Sequence, residues 1–223
     1  MKRSAKTIPG KVIELHTHTL LSDGELLPSE LARRYEEKGF GAVAITDHAD
    51  LSNIKTVTAA VKDFCDHWPR GRIKVISGVE LTHLPLEQFR EAVRFCRKQG
   101  VRVIIAHGET LAEPVLPGTA EAALKAGIDI LSHPGLISEE LVALAGRKGI
   151  YLEISGRKGH CLGNGRLVAL ARAHKAGLCL GTDAHGPGDI PTPNFFKAVG
   201  LAAGLDDEEV ELVLRRAWSA FAA

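Results

Sequence analysis

Seven short apolar runs, rich in β-branched residues, recur along the chain with amphipathic stretches between them. The runs are VIEL (12–15), AVAIT (42–46), IKVISGV (73–79), VRVIIA (101–106), IDILS (128–132), IYLEIS (150–155) and LCLGT (178–182). Strands this continuously apolar are buried on both faces, which a parallel sheet covered by helices provides. The stretches between them, PSELARRYEEKG, SNIKTVTAAVKDFCDHW, LEQFREAVRFCRKQG, TAEAALKAG, SEELVALAGRKG and RLVALARAHKAG, read as helices. Several close on the glycine that commonly follows a helix C-terminus. Two more helices are expected near 193–203 and 206–221, the second opening on the acidic DDEE that suits a helix N-terminus. Seven strand–helix units point to a closed or nearly closed barrel more than to an open doubly wound sheet. No G-x-G-x-x-G or G-x-x-x-x-G-K-[ST] follows the first strand, which removes the usual nucleotide-binding reasons for an open sheet. The expected division is a short tail at 1–10 and one barrel domain with C-terminal helices over 11–223.

Bulk properties remove several classes of function. Basic and acidic residues balance, 28 against 27, for a net charge of +1. That charge offers no footprint for nucleic acid, which usually needs a basic stripe, although it leaves room for a local site. No apolar run reaches the roughly 18 residues of a membrane span. The opening MKRSAKTIPGK lacks the apolar segment of a secretory signal. Cys65, Cys96, Cys161 and Cys179 are widely spaced with no C-x-x-C, so the expectation is a reduced, cytoplasmic protein. The oligomeric state is left open.

Barrels of this kind build their sites from loops at the C-terminal ends of the strands. Those ends carry the chain's histidines. His16, His18 and Asp23 follow the first strand, Asp47 and His48 the second, and Glu80 the third, with His83 just beyond. His107, His133 and the pair Asp183 and His185 follow the fourth, fifth and seventh. Leaving aside His83 and Asp47, six of the ten histidines therefore gather at one end of the strands with three carboxylates, while the helices carry only His67 and His174, expected on the surface. Imidazole and carboxylate without thiolate are ligands for borderline or hard divalent ions such as Zn²⁺, Mn²⁺ or Fe²⁺. Nine donors exceed the needs of one ion and suit two or three, with a carboxylate such as Glu80 bridging a pair. Such a centre hydrolyses phosphate esters without a nucleophilic side chain, and no G-x-S-x-G elbow is present.

Together, H-x-H-x-x-x-x-D-G, T-D-H, G-V-E, the later single histidines and D-x-H resemble the polymerase and histidinol phosphatase (PHP) family of metal-dependent phosphoesterases, over residues 13 to about 186. The resemblance implies a distorted (β/α)7 barrel with up to three ions on His16, His18, Asp23, His48, Glu80, His107, His133, Asp183 and His185. It implies His16, His18, Glu80 and Asp183 on the first ion, Glu80, His107 and His133 on the second, and Asp23, His48 and His185 on the third. A hydroxide between ions would attack phosphorus, with Glu80, Asp183 and His185 as the catalytic set. The loop SGRKGHCLGNG (155–165) supplies no expected ligand, but its Arg157, Lys158 and His160 are candidates for the substrate phosphate, as is His83. Asp47 is read as capping a turn or orienting a ligand.

The leading expectation is hydrolysis of a small phosphomonoester, histidinol phosphate being the family's best-known small substrate. The rivals are a nucleotide or oligonucleotide phosphatase, an amidohydrolase, and a non-catalytic metal-binding module of a larger assembly.

Overall fold

The computed structural model describes residues 12–223, so the expected tail lies outside the described residues. The strands are β1 (Ile13–Glu14), β2 (Ala42–Ile45), β3 (His48–Ala49), β4 (Lys74–Leu81), β5 (Val103–His107), β6 (Ile130–Ser132), β7 (Tyr151–Ser155) and β8 (Leu178–Gly181). All the ladders are parallel, in the order β1-β2-β4-β5-β6-β7-β8, with β3 also on β4. The expected second strand is thus split. It pairs as β2, breaks at Thr46–Asp47 and resumes as β3, where His48 faces Glu80. Seven strand positions therefore form the barrel, as the sequence predicts. Its seam is nearly closed. Above the last ladder, His18 N donates to the Ala184 carbonyl at 2.9 Å. Lower down, the buried Glu14 carboxylate spans from β1 to the Thr182 hydroxyl, at 2.5 Å.

Helices α1 (Pro28–Glu37), α2 (Ile54–His67), α3 (Phe89–Gln99), α4 (Thr119–Ala126), α5 (Glu139–Lys148) and α6 (Asn164–His174) alternate with the strands. Helices α7 (Pro193–Ala202) and α8 (Asp207–Ala217) complete the jacket. The sequence signals act as expected at their ends. Gly100, Gly127 and Gly149 close α3, α4 and α5 in the left-handed conformation. Asp206 and Glu209 form a reciprocal capping box at the start of α8. None of these helices is long and apolar enough to cross a membrane.

Two apolar cores follow from the two-residue period of a strand. Outward residues such as Val43, Ile104, Leu131 and Leu152 pack under the helices with Leu31, Val61, Phe89 and Leu124. Inward residues Ala42, Ala44, Ile76, Val103, Ile105, Ile130 and Cys179 fill the barrel. The chain's last segment differs from the expected helix. It passes at Trp218–Ala222 into a wider turn, and Phe221 and Ala222 join the inward core. Lys74 Nζ holds the Ala222 carbonyl at 2.7 Å, so this segment is the floor of the barrel.

Candidate metal centre

Counting two residues along each inward face, upward from the apolar layer, reaches the polar groups. Ile76 leads through Gly78 to Glu80 on β4, Val103 through Ile105 to His107 on β5, Ile130 to Ser132 on β6, and Tyr151 to Glu153 on β7. The alternation that fills the barrel with hydrocarbon thus delivers carboxylate and imidazole to its upper layer. The loops above add the rest. Gly24, in the first motif, is tight against the His18 backbone, where a Cβ would collide with the carbonyl. His133 and Asp183 hold positive φ, 26° and 51°. Such backbone is uncommon away from glycine and costs of order 1–3 kcal/mol where it occurs.

The innermost donors converge. His16 Nε2 lies 3.2 Å from Glu80 Oε1 and 3.6 Å from Asp183 Oδ1. His18 Nε2 lies 3.0 Å from the same Asp183 oxygen and 3.7 Å from Glu80 Oε2. His133 Nε2 approaches Glu80 to 3.7 Å and Asp183 to 3.9 Å. These five side chains are buried. Yet His16 Nε2, both ring nitrogens of His18 and of His133, Glu80 Oε2 and Asp183 Oδ1 have no hydrogen-bond partner among the described residues. A buried polar atom left so costs about 1–3 kcal/mol. Seven together rival the roughly 5–15 kcal/mol by which a whole domain is stable. A divalent ion among them removes that cost at each atom it ligates, one ring nitrogen per imidazole, and the donor set fits one.

Nearer the mouth, Asp23 Oδ2 lies 3.4 Å from His185 Nε2, and its other oxygen 3.7 Å from His48 Nε2. The His18 ring stacks between His48 and His185, with centroids at 4.1 and 4.2 Å. Asp23, His48, His185 and His18 can share one ion. His107 stands apart. Its Nε2 lies 3.0 Å from Glu113, while Glu80 is beyond its ion-pair range. All nine expected donors thus edge one basin, a cavity of about 490 Å³ open to solvent, or lie directly beneath it.

Electrostatics follow from burial and the carboxylates. Burial alone would depress His16, but Glu80, Glu153 and Asp183 outweigh it and hold its pKa well above the usual imidazole value. Burial wins at His18, pulled down to about 4, and at His133, also lowered. Burial opposes the ionised form of Glu80 and Asp183, yet the imidazoles around them, His16 foremost, keep both well below the usual carboxylate range.

The candidates for substrate contact divide. Arg157 is on the basin wall, its Nε 3.3 Å from Asp183 Oδ2 and its Nη1 2.8 Å from His185 Nδ1. His160 is buried, stacked on His133 at 4.2 Å, with Nδ1 2.6 Å from the Thr110 hydroxyl. His83 is half exposed on the rim. Lys158 is elsewhere, lining a neighbouring cavity of about 430 Å³ with Phe195 and Asp189. Asp47 accepts from Thr19 N (2.7 Å), Thr19 Oγ1 (2.9 Å) and Ser22 Oγ (2.7 Å), so it pins the loop that carries Asp23. His67 is exposed, and the half-buried His174 pairs with Glu139 at 2.9 Å.

The sequence reading misses two carboxylates. Glu153 Oε2 meets His16 Nδ1 at 2.7 Å, turning Nε2 toward the donors. Gly181 makes room for it, since a Cβ there would sit 2.7 Å from Glu153 Oε2. The signal was the inward period counted from Tyr151. Glu113, in the loop before α4, has no such signal.

A parallel α/β barrel that gathers imidazoles and carboxylates at the C-terminal ends of its strands is the frame of a metal-dependent hydrolase. Relatives narrow that class. The PHP domain profile matches residues 14–108. An uncharacterised protein of Methanocaldococcus jannaschii is 40% identical over 206 residues, covering 90% of this chain and 94% of that one. A chain of archaeal ribonuclease P, solved with mature tRNA, superposes with a TM-score of 0.69 at 18% identity, covering 93% of this chain and 89% of its own. Histidinol phosphate phosphatase from Lactococcus lactis, solved with zinc, L-histidinol and phosphate, superposes at 0.60 and 17% identity, covering 88% and 95%. The chain belongs to the PHP domain family.

Proposed function

We propose that the protein is a metal-dependent phosphoesterase that hydrolyses a small phosphomonoester, of which histidinol phosphate is the leading specific form. The observation that carries this reading is the set of seven unpartnered buried donor atoms on His16, His18, Glu80, His133 and Asp183. No thiolate competes there, and the donor types admit manganese, zinc or iron. His16, His18, Glu80 and Asp183 would hold one ion, Glu80, His133 and His107 a second, and Asp23, His48 and His185 a third. Bound ions of this kind polarise phosphoryl oxygens and make a water nucleophilic at neutral pH.

The chain's own residues do the rest. Glu80 is fixed by the Ser132 hydroxyl at 2.7 Å and by its place on β4. Asp183 is held from the opposite wall by Arg157. With Nε on Asp183 and Nη1 on His185, Arg157 has no partner on Nη2 among the described residues, so Nη2 is available to an anionic oxygen, and its charge suits a phosphate dianion. His160 offers Nε2 to the same space, 3.7 Å from Asp183 Oδ2. The proposed setting is the reducing cytoplasm, consistent with four free cysteines.

The test is phosphate release by protein reconstituted separately with Mn²⁺, Zn²⁺ and Fe²⁺. The panel holds histidinol phosphate, other small phosphomonoesters, a 5′-phosphorylated oligonucleotide and an amide substrate. The oligonucleotide arm reflects the ribonuclease P chain that shares the fold. Turnover that vanishes with chelator and in Asp183→Ala supports the reading, and Arg157→Ala should raise KM for the best substrate. Protein holding two or three ions that hydrolyses only the amide, or nothing, refutes it.

A further inference from the structure

Backbone register sets the spacing of several donors. On β4, β5 and β6, Glu80 pairs with Ile105 and His107 with Ser132. His16 and Asp183 are placed differently. They follow β1 and β8, and among the described residues no ladder joins those two strands. The backbone pairing there is an isolated bridge one residue past the donors, between Thr17 and Ala184. It is made by His18 N on the Ala184 carbonyl at 2.9 Å and Ala184 N on the His16 carbonyl at 3.3 Å. Two strands joined at one point can still pivot about it.

On the other side of the donors a side chain takes the place of the ladder. Glu14 is fully buried, and its Oε1 accepts from Leu15 N at 2.9 Å and His16 N at 3.0 Å on its own strand. The same oxygen accepts from Thr182 N at 3.3 Å across the seam. Its Oε2 accepts from the Thr182 hydroxyl at 2.5 Å and from the Tyr35 hydroxyl of α1 at 3.3 Å. Five hydrogens meet a carboxylate with about four lone-pair positions, so its accepting capacity is filled. The residues it clasps are His16 itself and Thr182, the one before Asp183. Asp183 leaves the strand there with φ at 51°, so its carboxylate goes where Thr182 is held. Glu153 grips His16 too, but by the ring, and from β7.

We propose that Glu14 is a positioning residue for the ion on His16, His18, Glu80 and Asp183. By tying β1 to β8 it holds His16 Nε2 and Asp183 Oδ1 at 3.6 Å. A tetrahedral ion with bonds of about 2.1 Å spaces its donors by about 3.4 Å. Glu14 acts through the two strands and touches neither ion nor substrate. This role rests on the metal-dependent reading, and its test reads metal binding, with no substrate present.

The experiment titrates the full metal-free chain with Co²⁺, reading affinity by chelator competition and the visible spectrum of each ion. His16→Ala marks the component that belongs to the inner ion. In Glu14→Gln one oxygen remains for the three N–H groups, and the amide can donate to the two hydroxyls, which turn to accept. That variant should keep the inner ion within threefold and its spectrum unchanged. Glu14→Ala should weaken the ion at least tenfold and Thr182→Val at least threefold, both with a shifted spectrum, while the ion on Asp23, His48 and His185 stays as in wild type. Phe221→Ala, in the barrel floor, controls for lost stability and should leave the spectrum alone. Glu14→Ala and Thr182→Val within twofold of wild type, with unchanged spectra, overturn the role, and Thr182→Val decides if Glu14→Ala does not fold. An equal spectral change in Phe221→Ala overturns it as well. So does a Glu14→Gln as weak as Glu14→Ala, since lost charge and not a lost tie would then be acting. Wild type that takes up no ion refutes the metal-dependent reading itself, whereas wild type that binds and variants that match it refute this role alone.

Discussion

Glu153 touches no expected substrate space, yet it should control the inner ion. Its carboxylate holds His16 Nδ1 at 2.7 Å with both groups buried, so the His16 ring presents Nε2 toward Glu80 and Asp183. A buried hydrogen bond to a charged group is worth about 1.5–3 kcal/mol. Loss of a carboxylate that orients a metal-bound histidine typically weakens the metal ten- to a hundredfold, about 1.4–2.7 kcal/mol. The two scales agree, and they rank the variants. Glu153→Gln keeps an acceptor of the same shape and should lose only a few-fold. Glu153→Ala leaves the His16 N–H unsatisfied and opens a cavity, and should lose ten- to a hundredfold. Competition against a chromophoric chelator measures both, and the ion on Asp23, His48 and His185 is the internal control that should not move. Inner-ion affinity in Glu153→Ala within twofold of wild type, in folded protein, would refute the reasoning.

Three further outcomes are expected. His16, His48, His107 and His185 are all buried enough to be depressed, but Glu80, Glu113 and Asp23 outweigh burial and raise them above 6.5. The metal-free protein therefore favours the imidazolium forms there more than free imidazoles would, and their stabilisation, complete below 6.5, is lost as pH rises through the folded values. Metal binding must expel those protons, so affinity should rise with pH above 6.5, with proton release detectable by calorimetry in buffers of different ionisation enthalpy; pH-independent affinity there would contradict the assignment. Phe221→Ala should cost about 3–5 kcal/mol in denaturant unfolding if its ring is the floor of the barrel, and a loss under about 1 kcal/mol would not fit that role. Asp47→Ala removes three hydrogen bonds from the loop bearing Asp23, and should destabilise the chain by about 2–3 kcal/mol and weaken the Asp23 ion more than the inner one, by melting and metal titration.

The nine candidate donors were legible because strand ends are legible. Each apolar run points at the residues after it, and His16, His107, His133 and Asp183 stand there. Glu153 was hidden inside a run. IYLEIS reads as one apolar strand, and only the inward period from Tyr151 shows that its glutamate faces the barrel. Glu113 was hidden for the opposite reason, since a loop has no period and its place depends on how Glu109 anchors both ends of α4's approach. The break of the second strand at Thr46–Asp47 also escaped, because AVAIT runs on without a turn residue. There the side chains of Thr17 and Thr46 enter the backbone pairing, with Thr17 N on Thr46 Oγ1 at 3.0 Å, and Asp47 is drawn off to Thr19 and Ser22. The last helix was expected from its acidic opening DDEE, but nothing in that opening says that the helix ends at Ala217 and that the chain passes on beneath the barrel.

That floor sets the traffic. With Phe221 and Ala222 closing the lower end, the basin is a vessel with one mouth, and what is admitted first lies deepest. If the proposed phosphomonoester is the substrate, a phosphoryl group drawn down to Arg157 would have the rest of its molecule above it. After cleavage the alcohol would depart freely, while inorganic phosphate would wait until the way out is clear. Unloading would then be ordered, with phosphate last and acting as the competitor that slows each new cycle.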